Sequence, residues 1–544
     1  MRYLSENKRE DMRMKKRTAA RSMAALMGAA MVLTACGGGN TTAPTTGASS
    51  GGETQTASES AESGKITKTD IVVGQASDIV TLDPAGQQDT TSGVLMKHAY
   101  STLLDVDNEG KVVPDLAESY EMKSDTEYVF KLREDACFWD GTPVTAQDVK
   151  FSLDRAKGMP KTKSNTSKIE EVTVNGDHEV TIKLTEPYAA FKTIVTQHNL
   201  SILSEKAVTE AGDSYGDVDN LLGSGPFKVT EWVPNDHYTL VRNDNYWGEM
   251  PIATSITCRV IPEGSARTIA LEAGEIDVVW SVDPTDCANV ESNPDVKLLS
   301  QPSTGIDYVG MNTQKEKFSD KRVRQAINYA LDKQTFVDTI IEGRGLVANS
   351  YINAAIPGWT DEVEAYPYDP EKAKELLAEA GYPDGFECSI FVNGDLRTRS
   401  AQILQAQLAD VGIKVDISTY EWGALLDTLN AGEHEMFLLG WSNTSFDPDG
   451  STYQLFYSGN HGATGNRAFF SNDKVDELIL SAQRESEESK RMELYKELQF
   501  VLHEESPWCP LYYKNDNVGV RADLKGFKLH KGAQHYLGNC HYEK

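Results

Sequence analysis

The residue patterns in this chain that could carry covalent or metal chemistry each lack a member which that chemistry requires. Gly223-Ser224-Gly225 offers a serine between glycines, but it does not extend to the Gly-x-Ser-x-Gly spacing of a nucleophile elbow, and Pro226 follows. A turn fits it better. His503-Glu504-Glu505 has no second histidine to complete a zinc-binding His-Glu-x-x-His helix. Asp447-x-Asp449-Gly450 starts like a calcium loop, yet the later acidic ligand and the bidentate glutamate do not follow. His530, His535, Cys540 and His541 cluster near the C-terminus without tight ligand spacing and are expected on an exposed tail. No glycine-rich loop is placed to cradle phosphate. The chain is therefore expected to bind no metal or cofactor and to catalyse nothing.

One residue is well placed for modification. Met14, Lys15, Lys16, Arg17 and Arg21 precede an apolar run from Met23 to Leu33, which ends in Leu33-Thr34-Ala35-Cys36 and three glycines. The run is too short for a membrane span of about 20 residues. A basic segment, a short apolar run and small residues before a cysteine resemble a bacterial lipobox, with residues 1–35 as signal peptide and Cys36 as the lipidated first residue. Either Met1 or Met14 could start translation. Residues 36–65 are rich in Gly, Ser, Thr, Ala and Glu without apolar periodicity, as in a flexible tether. An extracytoplasmic protein is expected, lipid-anchored at the outer face of the cytoplasmic membrane or in the periplasm.

Charge narrows the partners. The 544 residues carry a formal net charge of −29, and the segment before Cys36 holds eight Lys or Arg against three Asp or Glu. The processed chain is thus near −34, unsuited to a nucleic-acid backbone or to electrostatic adsorption on anionic lipid. Hydrophobic residues at 39% and charged residues at 25% are ordinary for a soluble body, and the length calls for more than one core. Six further cysteines (Cys137, Cys258, Cys287, Cys388, Cys509 and Cys540) include no Cys-x-x-Cys pair, and their pairing cannot be read from spacing.

The elements that would position a site are mixed. Tyr128, Phe130 and Leu132, and again Val180, Ile182 and Leu184, alternate with polar neighbours as half-buried strands do. Thr145 and Asp148 are spaced as a capping box, followed by Val149, Leu153 and Ala156 on one face and by Gly158. Asp369-Pro370 opens a helix with Ala373, Leu376, Leu377 and Ala380; Asn472 opens one with Val475, Leu478, Ile479 and Ala482. Ser319 and Asp320 begin another, bearing Val323, Ala326, Ile327 and Ala330. This is an α/β body.

Four sets of segments, in order, resemble family 5 extracellular solute-binding proteins, the dipeptide- and oligopeptide-binding class of ABC importers. They are Leu116-Ala-Glu-Ser-Tyr120 through Thr145-Ala-Gln-Asp-Val149; Gly223-Ser-Gly-Pro-Phe227 with Asn245-Tyr-Trp247; Met311-Asn312 with Val323 to Asp332; and Tyr420-Glu-Trp422 with Gly440-Trp441 and Asp447-Pro-Asp449. The similarity runs from about Ile71 to Tyr513. It implies a periplasmic-binding-protein-like type II fold, with two lobes, a hinge and an extra domain inserted in lobe one. By analogy lobe one takes 66–105, 222–310 and 515–544, the extra domain 106–221, and lobe two 311–514.

The resemblance implies capture of peptides by hinge closure and delivery to permease and ATPase subunits by a monomer. Trp422 and Trp441 stand where the family lines its pocket; Ser442, Asn443, Thr444 and Asp447 follow with polar groups. Two positions depart from dipeptide-binding relatives. Thr444 occupies the place of the aspartate that pairs with the peptide ammonium, and the place of the carboxylate-gripping arginine falls near Phe391, with Arg397 and Arg399 close by. Longer peptides, glutathione-like peptides, and non-peptide solutes such as nickel chelates, sugars or opines therefore stay open as ligands. A secreted hydrolase is the remaining alternative.

Overall fold

Two long strands, Val296–Met311 and Trp508–Arg521, run antiparallel beside each other and tie the molecule together. Their register is regular from Val296 opposite Arg521 to Pro302 opposite Asn515, and it resumes with Ile306 opposite Tyr513. Between these stretches Ser303, Thr304 and Gly305 oppose Lys514 alone, so the ladder breaks there. Unequal residue numbers bend a strand pair, and Pro302 has no N–H to donate. The two crossing strands join the lobes, and this break is where their pairing is interrupted. Before it, Trp508–Arg521 passes the ladder on to Val278–Val279; after it, Val296–Met311 passes it on to Met436–Ser442, all within one eleven-stranded sheet. Gly305 to Met311 pairs with Met436–Ser442.

The computed structural model describes residues 65–544, and these belong to one unit. The expected signal peptide, Cys36 and the tether up to residue 64 lie outside the described residues. Among the described residues, no helix is long and apolar enough to cross a membrane.

In the first lobe, strand Asp70–Gln75 pairs parallel with Ser255–Val260 and with Val278–Val279, and the hairpin Phe227–Val233/His237–Arg242 extends the sheet. In the second, Phe386–Val392 lies parallel between Ile413–Thr419 and Met436–Ser442, and the last of these pairs with the crossing strand. A separate four-stranded antiparallel sheet (Ala117–Ser124, Glu127–Leu132, Glu179–Leu184 and Ile169–Gly176) builds the inserted domain.

Local chemistry explains the helices. Thr145 Oγ1 accepts from the Asp148 N–H while the Asp148 carboxylate accepts from the Thr145 N–H, which starts helix Ala146–Lys157. Its Val149, Leu153 and Ala156 bury against Phe130, Val180 and Ile182. Asp369 caps Pro370–Glu379, Asn472 caps Asp473–Arg484 and Asp320 caps Lys321–Ala330. Val323, Ala326, Ile327 and Ala330 are fully buried in the second lobe. Each large apolar side chain so buried contributes about 1.5–3 kcal/mol before ordering entropy is subtracted.

The C-terminal segment corrects one expectation. It is not an exposed tail: His530, His535 and Cys540 are buried, and Tyr542–Glu543 pairs with Ile66–Lys68. The Leu537 N–H donates to His98 Nε2 at 3.0 Å, which anchors the segment to the first lobe. Polar composition suggested exposure, but these polar groups are consumed internally. All six cysteines after Cys36 are unpaired.

Candidate ligand-binding cleft

A cavity of about 370 Å³ lies between the lobes, within the size range of small-molecule sites. The first lobe contributes Asp89, which caps helix Thr90–Ala99, together with Trp280 and Ser281. The inserted domain contributes Asn165 and Gln197 to Asn199. The second lobe supplies Tyr308, Trp422, Trp441 and Arg467, and strand Trp508–Arg521 supplies Lys514 to Asn517.

Of the residues expected from sequence, Arg397, Trp422, Trp441, Ser442 and Thr444 line this cavity. Asn443 and Asp447 do not, and that is a correction. Asn443 is buried and donates to the Asp447 carbonyl and to Ser451 Oγ, both at 2.7 Å. Its Oδ1 accepts from Ser445 N–H, Ser445 Oγ accepts from Asp447 N–H, and Asp447 Oδ1 accepts from Asp449 N–H. Each side chain thus folds the backbone two residues ahead, as short polar residues do in turns. The Asp447 carboxylate is also held by Arg491 at 2.5 and 2.9 Å, so it faces the core behind the site.

The walls combine rings with charge. Tyr308 stacks on Trp508 with centroids 3.4 Å apart, giving the floor a rigid backing. The Trp441 indole N–H donates to the Gly450 carbonyl at 3.0 Å. Arg397 donates to Asn393 Oδ1 at 2.7 Å and lies 5.8 Å from the Trp422 ring centre. Asp89 uses one carboxylate oxygen to accept from the Ser92 N–H at 2.9 Å. Its carboxylate also interacts with the Trp422 indole N–H, which favours the charged form. Burial raises the Asp89 pKa, against the Ser92 hydrogen bonds and the charge of Lys161. His198 and His535 are each pushed down to about 3, chiefly by burial, so both are neutral imidazoles. Among the described residues, no group of three or more His, Cys, Asp or Glu is arranged to hold a metal ion.

Sequence reading missed Asp89, Arg467, Lys514 and Asp516. Asp516 is pushed up to about 7 by burial, with Lys514 opposing, and its Oδ2 has no hydrogen-bond partner among the described residues. The folded body therefore holds this proton more tightly than the unfolded chain, whose carboxyl titrates near 3.8. The resulting stabilisation is complete below about pH 4 and is lost as pH rises towards about 7. Asp516→Asn should leave stability near pH 4 unchanged and raise it at pH 8, flattening the profile in denaturant melts across that range. Parallel profiles for the two proteins would contradict this.

Contacts across the cleft hold the lobes together. Arg399 of the second lobe pairs with Asp283 of the first at 2.6 Å, and Thr444 donates to Gln197 Oε1 at 2.9 Å. Burial raises Asp283, but hydrogen bonds from Arg399 and Thr285 outweigh it and hold the carboxyl below its ordinary range. Arg399→Ala should populate a more open form and weaken binding by about threefold to tenfold, since only the closed fraction is competent. An increased radius of gyration in small-angle scattering without ligand would show this, and an unchanged one would contradict it.

A cleft of this shape, built across two crossing strands, has counterparts among known proteins. Residues 111–463 match the family model described as bacterial extracellular solute-binding proteins, family 5, middle. The chain belongs to this family. The glutathione-binding protein GsiB of Shigella boydii serotype 4 is 32% identical to this family 5 chain over 477 residues, covering 84% of it and 91% of GsiB. The dipeptide-binding protein of Escherichia coli K12 is 30% identical over 470 residues, covering 80% and 86%. The solved structure of the periplasmic binding protein DppA from Helicobacter pylori in complex with peptide STSA matches with a TM-score of 0.84 at 29% identity, covering 88% of this chain and 99% of that one. The oligopeptide-binding protein AppA of Bacillus subtilis, in complex with a nonapeptide, matches with a TM-score of 0.81 at 26% identity, covering 88% and 100%. These matches span both lobes, so the type II binding-protein architecture of this family 5 member extends over nearly all the described residues.

Proposed function

We propose that this protein is the extracytoplasmic capture component of an ABC importer and that its ligands are peptides. The observation that carries the reading is the cavity between two hinged lobes, where the rings of Trp422 and Trp441 stand beside charged groups of both signs. Aromatic walls accept varied side chains, while charged and amide groups match the ends and backbone of a peptide. A ligand that touches both lobes stabilises the closed form by its difference in affinity for the two states, and the closed form is what a permease would recognise. A lipid on Cys36 would hold the monomer at the membrane beside its permease and ATPase partners, with binding and release as its whole cycle and no catalysis. A second reading, a glutathione-like peptide carrying more than one carboxylate, is favoured by the GsiB relatives and by two arginines, Arg397 and Arg467, that line the cavity.

Trp280, Trp422 and Trp441 all border the cavity, so intrinsic fluorescence reports its occupation. Titration with mixed short peptides should change the emission saturably; a flat response to peptides and to glutathione would sink the reading. Cys36→Ala should move the protein from the membrane to the soluble fraction of cells. Continued membrane association would remove the lipid anchor from the account.

A further inference from the structure

Arginines buried in the described residues reveal which one is short of partners. Arg267, Arg324, Arg467 and Arg491 are each 3–7% exposed. A guanidinium offers five N–H donors, and it is stable in an interior only when acceptors surround it. Arg267 donates to the carbonyls of Ile261, Pro262 and Ser281. Arg324 donates to those of Phe318, Ser319, Glu505 and Ser506. Arg491 has the Asp447 carboxylate and the Tyr495 hydroxyl. Arg467 is different. Its Nε donates to Asn430 Oδ1 at 3.0 Å, while its two terminal nitrogens reach no acceptor among the described residues and the side chain lines the cavity.

A second cation acts on it through its charge. Lys161 of the inserted domain makes no hydrogen bond or ion pair among the described residues, and its charge and that of Arg467 act on each other. Burial lowers the pKa of both groups; Asp89 opposes this for both, helped by Asp427 at Lys161 and by Tyr308 at Arg467. Neither carboxylate forms a hydrogen bond with either cation, and Asp89 already gives one oxygen to its helix cap.

We propose that Arg467 is an anion subsite that takes a carboxylate of the ligand on its two terminal nitrogens, with the charge of Lys161 acting from outside the cavity lining. The proposal rests on the reading of this cavity as the ligand site. A planar carboxylate matches the paired donors of a guanidinium, and the interaction gains strength where water is excluded. A ligand that Arg467 of the second lobe holds by its carboxylate, and that also touches the first lobe, favours the closed form. The C-terminus is the carboxylate common to all peptides; an Asp, Glu or γ-glutamyl group offers the same chemistry.

The test uses the purified full chain, native mass spectrometry and a random tripeptide library in four versions: free or amidated at the C-terminus, each with and without Asp and Glu. The wild type should prefer carboxylate-bearing libraries by about tenfold or more. Loss of the preference on amidation assigns the C-terminus, and loss only with Asp and Glu removed assigns side chains; both uphold the subsite. Arg467→Gln should abolish the preference, Lys161→Gln should reduce it, and Arg467→Lys should restore part of it. Equal binding of all four libraries, or a folded Arg467→Gln protein that keeps the wild-type preference, overturns the proposal. Should Arg467→Gln fail to fold, Lys161→Gln alone decides, and an undiminished preference overturns the proposal. Should no peptide bind, thermal shifts with acetate and succinate separate the two readings. An Arg467-dependent shift keeps the anion subsite while removing peptides as ligands, and no shift removes the subsite as well.

Discussion

Asp447→Ala is expected to destabilise the second lobe by about 3–5 kcal/mol, the cost of removing one member of a buried ion pair. Arg491 is 4% exposed and takes both oxygens of Asp447, so the truncation leaves its terminal nitrogens with only the Tyr495 hydroxyl at 3.3 Å. The turn from Asn443 to Asp449 loses its last side-chain brace at the same time. In an element of this size the loss corresponds to a fall in Tm of roughly 6–20 °C. Asp449 gives a second readout. Burial, with the adjacent charge of Asp447, raises its carboxyl to about 6, so removing Asp447 should lower that value. Replacing both partners, as Asp447→Ala with Arg491→Met, should recover much of the loss, because apolar replacements of a buried pair are often neutral. Were Asp447 a ligand contact instead, affinity would drop while Tm stayed near the wild-type value. Thermal melts and binding isotherms on the same three proteins separate the outcomes.

Trp422→Ala is expected to reduce ligand affinity by about 2 kcal/mol or more, roughly thirtyfold, with folding preserved. Trp422 is the first residue of its helix and borders the cavity, with its indole N–H directed to the Asp89 carboxylate across the cleft. The helix keeps its start without the ring, because the Glu421 carboxylate caps it through the Ala424 N–H at 3.2 Å. Truncation would also take away the surface over which Arg397 lies. Trp441→Ala should behave differently. That ring borders the cavity too, but it donates to the Gly450 carbonyl and packs against the cluster of Ile306, Ala348 and Tyr513. Its loss should lower affinity and Tm together. Unchanged affinity in Trp422→Ala, measured by calorimetry with ligands identified from the purified protein, would return that ring to a packing role.

The fold was readable where a signal is local. Asp369, Asn472 and Thr145 mark helix starts because a short polar side chain there satisfies orphan N–H groups within three residues. The apolar spacing after each cap then states which face is buried. The tryptophans of the cleft were readable through their motifs alone, since nothing in the spacing of Trp422 and Trp441 says whether a ring faces core or ligand. Asn443 and Asp447 looked equally available, yet they serve the turn and the ion pair with Arg491. Arg491 lies far along the chain, and no local pattern announces that contact. Arg467 and Asp516 gave no signal, because their significance is the lack of a partner after folding, and a sequence does not contain that. The break between the crossing strands was hidden for a related reason: Ser303 to Gly305 interrupt a strand only in relation to Lys514, which belongs to the other crossing.

Native mass spectrometry of the protein purified without denaturation tests the central claim most directly. Capture of peptides predicts a heterogeneous series of bound masses that fragment into short peptides and diminish together in Trp422→Ala. One discrete non-peptide mass, diminished by the same substitution, would contradict peptide capture while leaving a solute-binding cleft in place.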